Sequence, residues 1–335
     1  MKRRVALIAA LAPAVPGIPR RAFAQVGKTD KQRRIALVPD LGGDPVALKA
    51  LVDTLREAGR NEGKDFVLLR AGFQYGQDWE VMVNRAVTEA PDLIVAGNTG
   101  VARAIQKLLP NTPVVLNGGG LPVEAGIVDS LARPGRNVTG VTTYADNAVF
   151  GKYLQLLREA KPSIKRIGVI WSQVPPVFLR EELEGAFRKF RDAARQLKLE
   201  VRIFEVATPE DVDAVMARVT GEGIDALVLT VGRSALIRSR QLTEFAVQKR
   251  LPMLTELQWY WIESPPLLSY ATTFLAMTRM AAGYVDRILW DGAKPGDLPM
   301  QQPTKFELVV NLKAAKVLGI TLPQSLLLRA DRVIE

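Results

Sequence analysis

Leu93-Ile94-Val95-Ala96-Gly97-Asn98-Thr99-Gly100-Val101-Ala102-Arg103-Ala104-Ile105 decides the fold. Four apolar residues in a row suit a strand buried on both faces, as parallel sheets require. The small polar and glycine residues that follow suit a tight turn. From Val101 apolar residues recur at helical spacing until Pro110 stops the run. Working outward, the same unit repeats. Ile35–Val38, Phe66–Leu69 and Val114–Leu116 read as further strands, with helices from Pro45 to Gly59 (N-cap Asp44) and from Asp78 to Ala90 between them. The grammar then restarts. Ile167–Ile170, Val201–Val206, Ala226–Leu229 and Met253–Leu254 alternate with helices near 177–197, 209–219 and 234–249. Two series of about four strands predict an α/β protein of two doubly wound, Rossmann-like lobes. The polar stretch Asn137–Tyr144 is the expected connection between them. An amphipathic helix over Ala271–Trp290, a Pro/Gly-rich segment and a strand at Phe306–Val310 imply a hinge crossed more than once.

The first 24 residues read as an address. Lys2, Arg3 and Arg4 precede an apolar stretch from Val5 to Leu11, and Ala22-Phe23-Ala24 offers small residues before Gln25, the pattern of a secretory signal peptide. The apolar stretch is far short of the ~20 residues a spanning helix needs. The Arg3-Arg4 pair leaves both the general and the twin-arginine export routes open. This leader holds five basic residues and no acid, so the chain's +10 becomes +5 without it, from 40 basic and 35 acidic residues. The remaining charges alternate in sign, as on solvated helix faces, and predict no nucleic-acid partner. Glu181-Glu182-x-Glu184 belongs to that reading: the three do not share a tight helix face, and a solvated surface explains them better than metal ligation.

Among 335 residues there is no histidine and no cysteine. Ser-His-Asp and Cys-His nucleophiles, thiolate or imidazole metal sites, disulfides and lipidated cysteines are excluded as chemistry. No Gly-x-Gly-x-x-Gly or Walker lysine follows a glycine loop, so a nucleotide has no motif support, and no cofactor is predicted. Asn137-Val138-Thr139 matches a glycosylation acceptor, a motif common by chance.

Ligands of open α/β sheets bind beyond the carboxyl ends of the strands. In the first series the following residues are Pro39-Asp40-Leu41-Gly42, Gly97-Asn98-Thr99 and Asn117-Gly118-Gly119. In the second they are Trp171-Ser172, Thr230 and Thr255-Glu256, with Thr143, Tyr144 and Tyr270 near the expected crossings. One wall of amide and hydroxyl donors and another of aromatic faces describe a small-molecule site. Singly, each aromatic is more often core than ligand contact, Asn98 and Thr99 could equally cap a helix, and Trp259-Tyr260-Trp261 cannot all face one side.

Several stretches resemble a bacterial family of ABC-transporter substrate-binding proteins, the tryptophan/tyrosine-type cluster. They are Ser130-Leu131-Ala132-Arg133-Pro134-Gly135-x-Asn137-Val138-Thr139-Gly140, Leu268-Ser269-Tyr270, Gly292-Ala293-Lys294-Pro295-Gly296-Asp297-Leu298-Pro299, and the run from Gln302 through Leu318-Gly319-Ile320-Thr321-Leu322-Pro323 to Arg329-Ala330-Asp331. The resemblance implies a type I periplasmic-binding fold. Lobe 1 would span 33–143 plus about 270–295, and lobe 2 would span 144–269 plus about 300–335. It further implies an exported, non-enzymatic receptor in the periplasm, monomeric and without a lipid anchor. That receptor would enclose a small organic solute, an aromatic amino acid or another carboxylate, and deliver it to an inner-membrane permease. The candidate contacts are Asp40, Leu41, Asn98, Thr99, Asn117, Gly118, Thr143, Tyr144, Trp171, Ser172, Thr230, Thr255, Glu256 and Tyr270. Two departures from the family pattern, Leu121-Pro122-Val123 and Pro265-Pro266, lie near the expected cleft. The rival readings are a two-lobe enzyme, such as a glycosyltransferase or oxidoreductase, and a repressor-type effector domain.

Overall fold

The computed structural model describes residues 32–38, 45–70, 79–144, 148–171, 179–230, 237–256 and 266–335. The expected leader and the candidates Asp40, Leu41, Ser172 and Trp259–Trp261 lie outside the described residues.

The first sheet has the strand order β2-β1-β3-β4-β5, all parallel, from β1 (Arg33–Val38), β2 (Phe66–Arg70), β3 (Leu93–Ala96), β4 (Val114–Asn117) and β5 (Val138–Val141). Helices α1 (Pro45–Glu57), α2 (Trp79–Thr88) and α3 (Thr99–Leu108) connect its first four strands. Every residue of β3 and β4 is buried, which is why both read as unbroken apolar runs. Ile35, Leu37, Val95 and Val115 are withdrawn from water on one face, and Ala36, Val38, Ile94 and Leu116 on the other. Each such Val, Leu or Ile side chain contributes roughly 1.5–3 kcal/mol.

The second sheet has the order β12-β11-β10-β9-β8-β6-β7. Its strands are β6 (Arg166–Trp171), β7 (Glu200–Glu205), β8 (Ala226–Leu229), β9 (Met253–Thr255), β10 (Leu268–Thr272), β11 (Phe306–Asn311) and β12 (Arg332–Ile334). Only the β10–β11 pairing is antiparallel. Helices α4 (Ala148–Ala160), α5 (Arg180–Gln196), α6 (Asp211–Gly221) and α7 (Ser239–Gln248) accompany it. After β10 the chain enters α8 (Phe274–Leu289), which packs on α1, β4 and β5 of the first sheet. It then returns to β11, α9 (Leu312–Leu318), α10 (Gln324–Leu328) and β12. The backbone therefore passes between the sheets after β5, after β10 and before β11.

Asn137–Tyr144, expected to be a polar connection, instead contains β5. Its composition misleads because its polar and glycine residues serve close packing. The Thr139 hydroxyl is buried and donates to Leu298 O at 2.7 Å. Gly140 has φ +124° and lies so near β4 that a Cβ would meet Leu116 O at 2.3 Å. Asn137 is also occupied, donating from its side-chain amide to Leu109 O and Thr112 O. The returning segment 298–301 runs beside β5: Gln301 N donates to Gly140 O at 2.9 Å, and Thr142 N donates to Gln301 O at 2.9 Å. The helix expected over Ala271–Trp290 begins later. Ala271 and Thr272 belong to β10, and the Thr273 hydroxyl caps α8 by accepting from Ala276 N.

Candidate functional site

The carboxyl end of the first sheet presents Asn98 and Thr99 after β3, Asn117 to Leu121 after β4, and Thr142 to Tyr144 after β5. Asn98 is the N-cap of α3, its Oδ1 accepting from Val101 N at 2.9 Å. Thr99, at the first position of α3, is fully buried and donates to Glu182 Oε2 at 2.7 Å. Asn117 ends β4 with its Nδ2 donating to Thr278 Oγ1 at 3.1 Å, while its buried Oδ1 has no hydrogen-bond partner among the described residues. Gly118 N donates to Val141 O at 3.0 Å. Gly119 N reaches the Thr143 hydroxyl at 3.4 Å, and that hydroxyl donates in turn to Met277 Sδ at 3.6 Å.

On the second sheet, Trp171 ends β6 fully buried, edge-on to Phe187 at 5.5 Å and to Phe190 at 6.3 Å. The Thr230 hydroxyl donates to Ile170 O and the Thr255 hydroxyl to Leu229 O, both at 3.2 Å. Next to Thr255 stands half-buried Glu256. Tyr144 donates to its Oε1 at 2.6 Å and Tyr153 to its Oε2 at 3.2 Å. Tyr144 stacks on Phe150 with ring centroids 5.4 Å apart, and Tyr270 stacks on Phe306 while meeting Tyr153 edge-on at 6.2 Å. Burial, reinforced by the Glu256 charge, pushes the Tyr153 phenol well above its ordinary pKa, and burial also raises that of Tyr270. Tyr153 consequently stays a donor at any physiological pH.

The structure thus brings Tyr144, Glu256 and Tyr270 together through Tyr153, which sequence reasoning missed. Position 153 follows Val149 and Phe150 on the apolar face of α4, a spacing that marks core and conceals a polar tip. It also corrects the reading of Glu182 as solvated: Glu181 and Glu184 are exposed, but Glu182 is completely buried. Its signal was its register, since 182, 186 and 190 share the buried face of α5. What the arrangement offers chemically is a carboxylate held in one orientation by two phenols, together with a buried amide oxygen at the end of β4. Both are acceptors for a cationic or N–H group.

Among the described residues no group of acids forms a candidate metal site, and no helix is long and apolar enough to cross a membrane. A hollow of about 660 Å³ lined by Lys165, Arg166, Lys198 and Asp225 lies at the amino ends of β6 and β8, the opposite end of the sheet from Trp171 and Glu256.

Two parallel α/β lobes with a hinge crossed repeatedly define a two-lobe periplasmic-binding-protein fold, and solved structures agree. A conserved domain protein from Vibrio cholerae matches with TM-score 0.77 and 24% identity, over 90% of this chain and 100% of its own. A Streptococcus pneumonia ABC domain in complex with L-Trp matches with TM-score 0.76 and 22% identity, over 91% of this chain and 100% of its own. The family model for ABC transporter substrate binding proteins matches residues 45–334, and the chain belongs to that family. A tyrosine-binding protein of Clostridioides difficile is 24% identical over 278 residues, which are 82% of this chain and 76% of that protein.

Proposed function

We propose that this chain is the exported receptor of an ABC importer, enclosing one aromatic amino acid between its lobes and handing it to an inner-membrane permease. The observation that carries the ligand class is the Glu256 carboxylate with its Tyr144 and Tyr153 donors. The two phenols hold this half-buried carboxylate in one orientation, and an ammonium or N–H group is a partner its oxygens can accept from. Asn117 Oδ1 is a second acceptor, and the Gly119 amide, whose bond to the Thr143 hydroxyl is a long 3.4 Å, is a donor suited to the ligand carboxylate. Tyr270 supplies an aromatic face at the same end of the sheet. The tyrosine-binding and L-Trp-bound relatives support the same class. The receptor acts in the periplasm as a monomer without turnover or cofactor, and closure of the lobes on the ligand is its working motion.

A thermal-shift titration tests this with L-tyrosine, L-tryptophan, 3-phenylpropionate and tyramine. A true ligand at ~100 times its Kd adds roughly 2.7 kcal/mol of stability. The amino acids should stabilise, while the acid lacking the ammonium and the amine lacking the carboxylate should not. Equal stabilisation by 3-phenylpropionate would remove the role given to Glu256. Silence from all four would exclude the ligand class.

A further inference from the structure

Glu182 sits in the first turn of α5, whose Leu183, Ala186, Phe187 and Phe190 build the apolar core of the second lobe. Its completely buried carboxylate accepts three hydrogen bonds. One, from Leu179 N at 2.8 Å, belongs to its own helix. The others come from the first lobe: Thr99 Oγ1 at 2.7 Å and Leu121 N at 2.7 Å. Gly120 makes the room, since a Cβ there would stand 1.9 Å from Glu182 Oε1 and 2.7 Å from Thr99 Oγ1. Around this contact Lys189 pairs with Glu124 at 3.3 Å and Arg103 with Glu181 at 3.6 Å, again between the lobes. Leu121 is packed into the second lobe's apolar cluster.

Opening the lobes would carry two of the three donors away from the acid and return it to water. We propose that Glu182 is the latch of lobe closure, a carboxylate of the second lobe received by Thr99 and the Leu121 amide of the first through the gap left by Gly120. The proposal rests on the solute-binding reading and adds to it what holds the closed form before and after a ligand arrives.

The latch has a direction in pH. Burial lifts the closed-state pKa of Glu182 to about 7, from 4.5 in water, with Glu124 adding to the rise and the three hydrogen bonds opposing it. Of the charged groups around it, Glu124 from the loop after β4 acts on it directly, while the Arg103–Glu181 and Lys189–Glu124 ion pairs join α3 and that loop to α5 beside it. Between about pH 4.5 and 7, closed Glu182 therefore takes up a proton that open Glu182 does not hold, and closure is favoured as pH falls from 8 to 5. The linked change in the closed-to-open ratio is on the order of a hundredfold.

The chain has no cysteine, so Lys107→Cys and Arg188→Cys, on exposed faces of α3 and α5, can carry a donor–acceptor dye pair across the lobes. Without ligand, the short-distance population should grow as pH falls from 8 to 5. Glu182→Ala should lose it. So should Gly120→Ala, which leaves the acid intact and blocks its seat. Glu182→Gln should retain part of it with no pH dependence, a pattern that a merely structural side chain would not give. Circular dichroism verifies folding, and Gly120→Ala decides the matter if Glu182→Ala fails to fold. Wild-type distances in both variants would overturn the latch. The same labelled protein titrated with L-tryptophan and L-tyrosine separates the two readings. A distance change in the variants without any ligand response sinks the ligand class alone, and a ligand response with unaltered variants sinks the latch alone.

Discussion

The Tyr144 hydroxyl donates to Glu256 Oε1 at 2.6 Å and so ties the first passage between the lobes to the carboxyl end of β9. Glu256→Gln keeps the shape and an acceptor oxygen but removes the charge. A charge-assisted hydrogen bond contributes about 1.5–3 kcal/mol, so amino-acid affinity should fall roughly tenfold to a hundredfold at this cost. Calorimetric titration measures it, and an unchanged Kd would place the ligand ammonium elsewhere.

Glu182 also imprints stability. Its folded pKa, about 7, lies above its unfolded value of 4.5, so the folded state holds more protons between these values. Stability linked to this group is then fully present below about pH 4.5 and lost as pH rises through 7, by about 3 kcal/mol in total. Urea unfolding from pH 5 to 8 should show this slope in the wild type. Glu182→Gln should flatten it, and parallel curves would contradict the assignment.

Gly140→Ala should destabilise the first lobe. The residue combines φ +124° with a Cβ position 2.3 Å from Leu116 O, so β4 and β5 must part to admit a methyl group. A loss of about 2–4 kcal/mol, read as a lower urea midpoint, is expected. A change below about 0.5 kcal/mol would show that the strand pair yields easily.

Trp171→Ala empties a fully buried ring volume between Phe187 and Phe190. Such truncations cost about 3–5 kcal/mol, so the melting temperature should drop by several degrees or more in calorimetry. An unaffected melting temperature would mean that the ring lies outside the cooperative core.

The sheets were legible because their central strands are buried on both faces and leave unbroken apolar runs, Leu93–Ala96 and Ala226–Leu229 among them. β5 was not. Thr139 and Gly140 look like turn residues, and only the neighbouring Leu298 carbonyl and Leu116 backbone explain them. Of the cleft candidates, Tyr144, Glu256 and Tyr270 were visible from their place after strands or at crossings. For Tyr153 and Glu182 the helical register marks burial alone, because their partners lie 103, 83 and 61 positions away in the chain and local spacing does not name them.

The backbone pairing of segment 298–301 with β5 has a mechanical consequence. Gln301 bonds both Gly140 and Thr142, so the two chain passages there form a single two-ply ribbon instead of independent tethers. Two tethers free to slide would let one lobe shear or twist past the other. A ribbon joined by hydrogen bonds resists both and yields mainly to bending. The two sheets on either side of this ribbon are therefore constrained to move relative to each other along nearly one path.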